Sequence, residues 1–197
     1  CIMIEVSIEN RIGTILLNRP EKRNALNSEM TIQLTQALIR LKEDDTCKVV
    51  IIRSSGDAFC AGADLSYLQQ LQSNTYEQNL EDSQQLMRMF STLYHFPKIT
   101  IAQVEGPALA GGCGLAGLCD FCYATPTSTF GYTEVKIGFI PAIVSVFLTR
   151  KIGENHAKQL LLTGEIISAE TAYKMNMITG ITEADQIRRN TTSIAEK

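Results

Sequence analysis

The sequence predicts an α/β protein, on three observations. Three apolar, strand-like segments recur along the chain, and each leads into a loop or a helical segment. Apolar residues in the helical segments repeat every three or four positions, whereas those near the N-terminus alternate. Glycine and small residues cluster after two of the strands, where tight backbone turns are expected.

The first strand and helix follow from the periodicity of the N-terminal region. CIMIEVSIENRIGTILL alternates as strands do, and GTILLNRP is the strand that precedes a helix. In that helix Met30, Leu34 and Leu38 recur at helical spacing, with Asn27 or Ser28 as the N-cap.

The second and third units carry the small-residue loops. CKVVIIRSS is a continuous β-branched run typical of a buried strand, and the polar loop SGDAFCAGADL follows it. PKITIAQVEG is the third strand and leads into PALAGGCGLAGLCD, which we predict to be a closely packed helix. FCYAT adds a short strand. Further helices are predicted over 142–150, 154–162 and 168–175, with a polar, mostly helical insertion over 66–96.

The length, composition and charge of the chain limit the number of domains and the kinds of partner that we expect. The chain has 197 residues and is 45% hydrophobic, so we expect one domain over 1–197. A net charge of −3 gives no reason to expect a nucleic-acid partner, and the short basic cluster RPEKR suits a small polyanionic ligand better. Without a signal-peptide pattern or a run of about 18 apolar residues, we expect a soluble, cytoplasmic protein that does not bind a membrane.

Six cysteines raise the question of a metal site. Cys113, Cys119 and Cys122 lie close together, but in an apolar segment without a nearby histidine. We interpret them as small buried hydrophobic residues and expect no metal. The two histidines, His95 and His156, neighbour no nucleophile motif, which argues against a hydrolase.

The stretch GCGLAG, residues 112–117, matches the glycine pattern of dinucleotide-binding loops. That pattern has meaning only directly after a strand, and the preceding strand segment ends at Gly106. We favour a helix N-terminus whose free N–H groups face a ligand oxygen, provided by Gly111 and Gly112. Ala63, in the loop CAGADL, can direct a second N–H to the same point and complete an oxyanion hole. The alternative is that both loops are only tight turns with close helix packing.

Four motifs in order resemble the crotonase, or enoyl-CoA hydratase/isomerase, superfamily. They are LNRPEKRNALN, CAGADL after VVIIRSS, VEGPALAGGCGLAGLCDFCYA, and FGYTEVKIGFIPA. The resemblance implies an α/β crotonase-like spiral of stacked ββα units. It also implies an assembly of homotrimers or hexamers, and we expect the family's C-terminal helical segment to be truncated or absent here.

The resemblance also implies a ligand and residue roles. An acyl-CoA thioester would place its carbonyl oxygen between the N–H groups of Ala63 and Gly111, and coenzyme A enters as part of the substrate, with no separate cofactor. The substrate-binding set comprises Arg23, Ala25, Leu26, Ala61, Asp64, Leu65 and Gly112. Lys22 or Arg23 would reach a phosphate, although a solvated charge pair is an equal alternative. Asp64 and Asp120 are interpreted mainly as residues that fix their loops.

One catalytic carboxylate of the family pattern is missing. Family hydratases have two glutamates; Glu134 matches the second, while Gly114 stands at the first. Glu134 is flanked by the apolar residues Tyr132, Val135, Ile137 and Phe139, and an apolar setting would raise its pKa and suit proton transfer. The alternative is a surface acid at a helix start. The expected activity is therefore enoyl-CoA hydration with one glutamate as acid/base. Alternatives are enoyl-CoA isomerisation by that glutamate or acyl-CoA binding without turnover.

The run EVKIGFIPAIVS resembles methylglutaconyl-CoA hydratase-like members, which also tend to have glycine at the position of Gly114. That branch implies roles in fatty acid metabolism and branched-chain amino acid degradation. Ala142, Ile143 and Val144 are bulkier than the glycine-rich run of many relatives, so we expect a reshaped acyl pocket.

Overall fold

The computed structural model describes residues 2–197, and their backbone forms two sheets surrounded by helices. The α/β class predicted from the sequence is confirmed. The strands are β1 (Ile4–Glu9), β2 (Ile12–Leu17), β3 (Val49–Ser54), β4 (Ile99–Val104), β5 (Pro107–Leu109), β6 (Phe121–Ala124), β7 (Thr129–Gly131), β8 (Ile166–Ser168) and β9 (Gly180–Ile181).

The larger sheet has six strands in the order β1-β2-β3-β4-β6-β9. The β1–β2 pair is antiparallel, and the other pairs are parallel. The smaller sheet has the order β5-β7-β8. Because β4 continues almost directly into β5, the chain passes from one sheet to the other just before the glycine run.

Seven helices of the described chain connect or cover the strands. They are α1 (Ser28–Glu43), α2 (Leu65–Ser73), α3 (Tyr76–Tyr94), α4 (Gly111–Leu118), α5 (Ala142–Thr163), α6 (Ala169–Lys174) and α7 (Ile187–Ala195). Two 3₁₀ helices, Pro20–Lys22 and Thr133–Ile137, lie beside the candidate site. The two helices predicted over 142–150 and 154–162 are joined into α5 across a kink at Gly153, where φ is 78°.

Local sequence explains where α1 begins and which side it buries. The Asn27 side chain accepts a hydrogen bond from the Met30 N–H at 2.8 Å, which identifies Asn27 as the N-cap. Met30, Leu34 and Leu38 are fully buried, as their spacing predicts. The apolar face of α1 thus fixes the helix against the sheet.

One apolar core joins the two sheets. Ile15 and Ile52 of the larger sheet belong to the same buried cluster as Ala108, Phe130 and Ile167 of the smaller sheet. On the opposite face of the larger sheet, Ile12, Ile51 and Ile101 form a separate, smaller cluster with residues of α7. The larger sheet therefore has an inner face and an outer face.

The segment predicted as one helix over 107–120 is divided. Pro107–Leu109 form strand β5, which pairs in parallel with β7, and the helix begins only at Gly111. The physical reason is that Pro107, Ala108 and Leu109 find backbone partners in β7 and in the loop at Cys60, which sequence periodicity does not reveal. The prediction of a continuous helix from Pro107 is wrong.

The close approach of the Cys60 backbone explains why Gly112, the second residue of α4, has no side chain. A Cβ on Gly112 would lie 2.3 Å from the Cys60 carbonyl oxygen, whereas a Cβ on Gly117 would have only the Tyr132 hydroxyl at 3.7 Å nearby. We therefore expect Gly112→Ala to lower the free energy of unfolding by about 1 to 3 kcal/mol, the usual cost of overpacking. Urea denaturation measures this change.

Gly117→Ala is the matched control on the same helix, and it should unfold at the same urea concentration as the wild type or a higher one, since alanine favours the helix. Equal stability of the two variants would contradict the close-approach explanation.

Candidate active site

The N-terminus of α4 presents an unpaired backbone donor. Ala110, the residue before the helix, has φ of 50° and ψ of −124°, a conformation that non-glycine residues rarely adopt. Its own N–H donates to the Gly131 carbonyl at 2.7 Å, which anchors this turn to β7. The Gly111 N–H, at the first position of the helix, makes no hydrogen bond within residues 2–197. It is thus available to a ligand.

The loop after β3 supplies a second donor. Leu26 and Ala63 form a parallel bridge, in which the Leu26 N–H donates to Gly62 at 2.6 Å and the Asp64 N–H donates to Leu26 at 2.9 Å. The Leu26 backbone therefore bonds to the residues before and after Ala63, which are Gly62 and Asp64. The N–H of Ala63 itself has no acceptor in the described chain and, like Gly111, the residue is half-buried.

The structure brings these two loops together. Cys60 and Ala108 form a parallel bridge, and the Leu109 N–H donates to the Cys60 carbonyl at 2.9 Å. A Cβ on Gly62 would lie 2.8 Å from the Ala110 side chain. The residues that precede the two unpaired donors are therefore in direct contact, which places Ala63 and Gly111 side by side.

Glu134 lies in the 3₁₀ helix Thr133–Ile137, which follows β7. It is half-buried, and its Oε2 atom is buried without a hydrogen-bond partner among the described residues. Burial raises the pKa of this carboxyl above its usual value, although a bond to its own backbone lowers it. Its charge also contributes to the raised pKa of the Cys113 thiol in α4.

The apolar neighbours predicted to surround Glu134 do not all do so. Tyr132 is fully buried, but Val135, Ile137 and Phe139 are exposed in this chain. Val135 and Ile137 lie in the 3₁₀ helix and Phe139 follows it, and because all three are exposed they do not enclose the carboxyl in an apolar pocket. The direction of the predicted pKa change agrees with the structure, but the assignment of its cause to those three residues is wrong.

Gly114 lies one turn into α4 and is buried. A Cβ at this position would lie 2.5 Å from Val144 Cγ1 and 3.4 Å from Phe90 Cε1. Val144, in the first turn of α5, therefore occupies the space into which a side chain at position 114 would extend.

A buried ion pair supports the loop at Ala63. Asp64 caps α2 by accepting from the Ser66 N–H at 2.9 Å, and its other oxygen lies 2.7 Å from Arg19 Nη2. The Ser66 hydrogen bonds and Arg19 lower the pKa of Asp64 to about 2, against opposing burial. Asp64 thus fixes its loop, as predicted.

Arg19 entered the sequence analysis only as part of the basic cluster RPEKR, where it pairs with Asp64 instead of being free for an anion, and Asn24 was not singled out. Arg19 Nη1 donates to the Ala25 carbonyl at 3.0 Å, and Asn24 Nδ2 donates to the Ser55 and Ala58 carbonyls at 2.8 and 2.9 Å. Together they hold LNRPEKRNALN against the loop after β3. The sequence offers no local signal for these roles, because LNRPEKRNALN is mostly polar and nothing in it marks which polar side chains become buried.

The other predicted ligand-binding positions lie around the same loops. Arg23 is exposed and its carbonyl accepts from the Ala61 N–H at 3.0 Å, while Ala25 and Leu26 are buried. Gly112 is buried against Cys60 rather than open to solvent. Leu65 begins α2, but its side chain lies outside the described residues. Lys22 is exposed on the 3₁₀ helix.

The cysteines behave as buried apolar residues. Cys113, Cys119 and Cys122 are free and buried, and burial raises the pKa of Cys113 and of Cys122 to about 12. Cys119 and Cys122 stand at C-x-x-C spacing, yet residues 2–197 bring together no group of three or more metal-ligating acidic, cysteine or histidine side chains. In the same part of the chain, no helix has the length and apolar character that a membrane crossing requires.

A site with two adjacent N–H donors and a partly buried carboxyl is typical of proteins that stabilise negative charge on a carbonyl oxygen during proton transfer. The sequence matches the family model "Enoyl-CoA hydratase/isomerase" over residues 7–197. This chain belongs to the enoyl-CoA hydratase/isomerase family.

Individual relatives agree with this assignment. A Thermus thermophilus protein that is assigned as an enoyl-CoA hydratase is 41% identical over 99% of this chain and 77% of its own length. The crotonyl-CoA hydratase of Syntrophomonas wolfei is 32% identical over 95% of this chain and 72% of its own. The crystal structure of an enoyl-CoA hydratase from Shewanella pealeana superimposes with a TM-score of 0.94 and 31% identity, covering 98% of this chain and 74% of that one. The predicted crotonase-like fold is confirmed.

The lowered pKa of Asp64 predicts a pH-dependent stability. The folded-state pKa of about 2 lies below the ordinary aspartate value of 3.8, so the carboxylate stabilises the folded chain above about pH 4 and this contribution is lost as the pH falls towards 2. We expect Asp64→Asn to cost about 2 kcal/mol at pH 7 and progressively less below pH 4.

Chemical denaturation at several pH values measures this difference. The exposed Asp45→Asn is the control and should leave stability unchanged at each pH. A cost for Asp64→Asn that stays constant between pH 7 and pH 2 would rule out the charge-based explanation.

Proposed function

We propose that this protein is an enoyl-CoA hydratase, a lyase that adds water to the double bond of an enoyl-CoA thioester. The observation that carries the proposal is the pair of N–H groups at Ala63 and Gly111 that lack an acceptor among residues 2–197, taken together with the buried Oε2 of Glu134. Membership of the family and the activities in the names of its relatives support the same conclusion.

In the proposed mechanism, the thioester carbonyl oxygen accepts hydrogen bonds from Ala63 and Gly111. Glu134 removes a proton from a water molecule as the water oxygen bonds to C3 of the enoyl group. The electron pair of the double bond moves towards the thioester, and the two N–H groups stabilise the resulting enolate oxygen. A second water molecule then gives a proton to C2 and takes the proton held by Glu134 in exchange, which yields the 3-hydroxyacyl thioester and returns Glu134 to its carboxylate form.

The remaining predicted residues would hold coenzyme A. The turn Arg23–Leu26 contacts the loop at Ala61 through backbone hydrogen bonds, so a ligand that enters along this turn reaches Ala63 directly. The exposed Lys22 and Arg23 side chains are free to contact its phosphates. Because coenzyme A is part of the substrate and the reaction moves only protons and water, we propose no separate cofactor.

At a finer level, we propose a methylglutaconyl-CoA hydratase-like acyl specificity, which would connect the protein to branched-chain amino acid degradation. The run EVKIGFIPAIVS and the glycine at position 114 support it. Val144, which lies against Gly114, would form part of the acyl-pocket wall.

Enoyl-CoA isomerisation is the second candidate, and the absence of a side chain at Gly114 favours it. With one carboxylate, Glu134 would take a proton from one carbon of the acyl group and return it to another, and no water would be required. Product analysis with crotonyl-CoA and branched enoyl-CoAs separates a hydrated product from a shifted double bond.

We also propose that residues 1–197 act as one domain that assembles into trimers or hexamers. The shared core of the two sheets supports the first part. For the assembly, Ile137, Phe139 and Ile140 are exposed beside the candidate site, with Ile140 86% exposed in the isolated chain. An apolar patch of this kind is typical of a surface covered by another subunit.

The proposed role of Glu134 leads to a direct test. We expect Glu134→Gln to lower turnover of crotonyl-CoA by about 10² to 10⁴, because glutamine cannot accept a proton. Affinity for a non-reacting acyl-CoA should change little, since Ala63 and Gly111 are unaltered.

If Glu134 is the base, kcat/KM of the wild type should rise with pH through a pKa above the ordinary glutamate value.

The measurement is the loss of enoyl absorbance together with calorimetric binding. Glu43→Gln, an exposed residue at the end of α1, is the matched control. Near wild-type turnover in Glu134→Gln would eliminate this mechanism. Binding without turnover by the wild type would favour a non-catalytic acyl-CoA-binding protein.

The contact between Gly114 and Val144 predicts the result of restoring a second carboxylate. Gly114→Glu alone should destabilise the protein by about 1 to 3 kcal/mol, because its Cβ overlaps Val144 Cγ1. Adding Val144→Ala removes that atom and should recover part of the lost stability. Thermal melts of the two single variants and the double variant test this coupling.

Hydration rates of the same variants then show whether the site accepts a two-glutamate geometry. Strictly additive stability changes in the double variant would show that Val144 is not what excludes a side chain from position 114.

A further inference from the structure

A separate cavity of about 130 Å³ lies on the outer face of the larger sheet, between the strands and α7. Side chains alternate between the faces of a strand, so Ile52 of β3 enters the main core whereas Ile51 and Arg53 point to the outer face. The cavity is therefore separated by the sheet from the core in which Leu26 and Phe90 lie beside Gly111.

Two arginines line this cavity without a counter-ion. Arg53 is half-buried, and its Nε is buried without a hydrogen-bond partner. Neither the Arg53 side chain nor the side chain of Arg188 in α7 forms an ion pair or a hydrogen bond within residues 2–197. Burial and the charge of Arg188 both lower the pKa of Arg53. A partly buried, unpaired charge next to a like charge is costly unless an anion joins them.

Hydroxyl groups complete the lining. Ser7 of β1, Thr14 of β2 and Thr192 of α7 border the cavity, and none of these hydroxyls forms a hydrogen bond in the described chain. Gln103 is different: its Nε2 donates to Glu105 at 2.7 Å, and its Oε1 accepts from Thr191 at 2.8 Å. The groups left available are thus two guanidinium ions, three hydroxyls and the side-chain amide of Asn10, which also borders the cavity, and all of them can donate to an oxygen ligand.

One carboxylate lies at the cavity as well. Glu9 is exposed and borders it, and the charges of Glu105 and Glu9 favour the protonated form of Arg53. Since Glu9 is not within ion-pair distance of Arg53 or Arg188, it repels an incoming anion without neutralising either arginine. The net charge of the lining remains positive.

We propose that this cavity is an anion site that binds a phosphate group between Arg53 and Arg188. Tetrahedral oxoanions suit it, because their oxygens can accept from two guanidinium groups and from hydroxyls at the same time. None of the residues proposed for coenzyme A lines the cavity, so the site is independent of the proposed active site.

Calorimetric titration with inorganic phosphate at constant ionic strength tests the proposal. We expect saturable binding of one phosphate that Arg53→Gln and Arg188→Gln each weaken by about tenfold or more. The neighbouring, exposed Arg189→Gln is the control and should bind like the wild type. Glu9→Gln should tighten binding, an effect that a merely damaged fold would not produce.

Spectroscopy locates the bound ion. In ¹⁵N spectra, the Arg53 Nε–H signal should move with phosphate and remain unmoved with an equal concentration of chloride.

A second titration with adenosine monophosphate distinguishes a free phosphate from a phosphate monoester: tighter binding indicates that the natural ligand is larger than the ion. Phosphate binding that neither arginine variant weakens, or the absence of saturable binding, would overturn the proposal. Should Arg53→Gln fail to fold, the exposed Arg188→Gln and Glu9→Gln variants still decide it.

Discussion

The candidate active site depends on the close approach of two stretches of backbone. Helix α4 can begin beside Cys60 only because Gly112 has no side chain. That contact brings Ala110, the residue before the helix, against Gly62. The unusual φ of Ala110 turns the chain sharply from β5 into the helix. As a result, the first N–H of the helix and the N–H of Ala63 lie close together, and neither has an acceptor among residues 2–197. A backbone donor is fixed by the fold, so it needs no reorganisation when charge develops on a bound oxygen.

Two carboxylates near these loops have opposite environments. Asp64 has hydrogen bonds from Ser66 and an ion pair with Arg19, so its charged form is stabilised. Glu134 has a buried oxygen without a partner, so burial favours its neutral form. The first environment suits a residue that holds a loop in place, and the second suits one that exchanges protons. The difference arises from hydrogen-bonding partners and not from residue type.

The contact between α4 and α5 explains why a site with one glutamate can be well packed. Deleting a side chain at position 114 would leave a void if the opposite helix were also lined by glycine. Val144 fills that space, with Phe90 on the other side. Gly114 and Val144 are therefore two parts of one packing arrangement, in which the valine side chain occupies the space beside the glycine.

The sequence alone determined the fold class, the main helices and strands, and the loops that form the site. These features depend on local periodicity, capping residues such as Asn27, and glycine patterns, which are all properties of neighbouring residues. It also placed Glu134, Ala63 and Gly111 in one site, but only through resemblance, since they come from three separate segments of the chain.

Tertiary structure decided the rest, because the deciding partners lie far apart in sequence. Pro107–Leu109 became a strand through pairing with β7, and the support from Arg19 and Asn24 depends on carbonyl and carboxylate groups that they meet only after folding. Burial of Glu134 could not be derived from its neighbours, since Val135, Ile137 and Phe139 face solvent. The paired arginines of the outer face, Arg53 and Arg188, are 135 residues apart in the chain and meet only because α7 packs against the larger sheet.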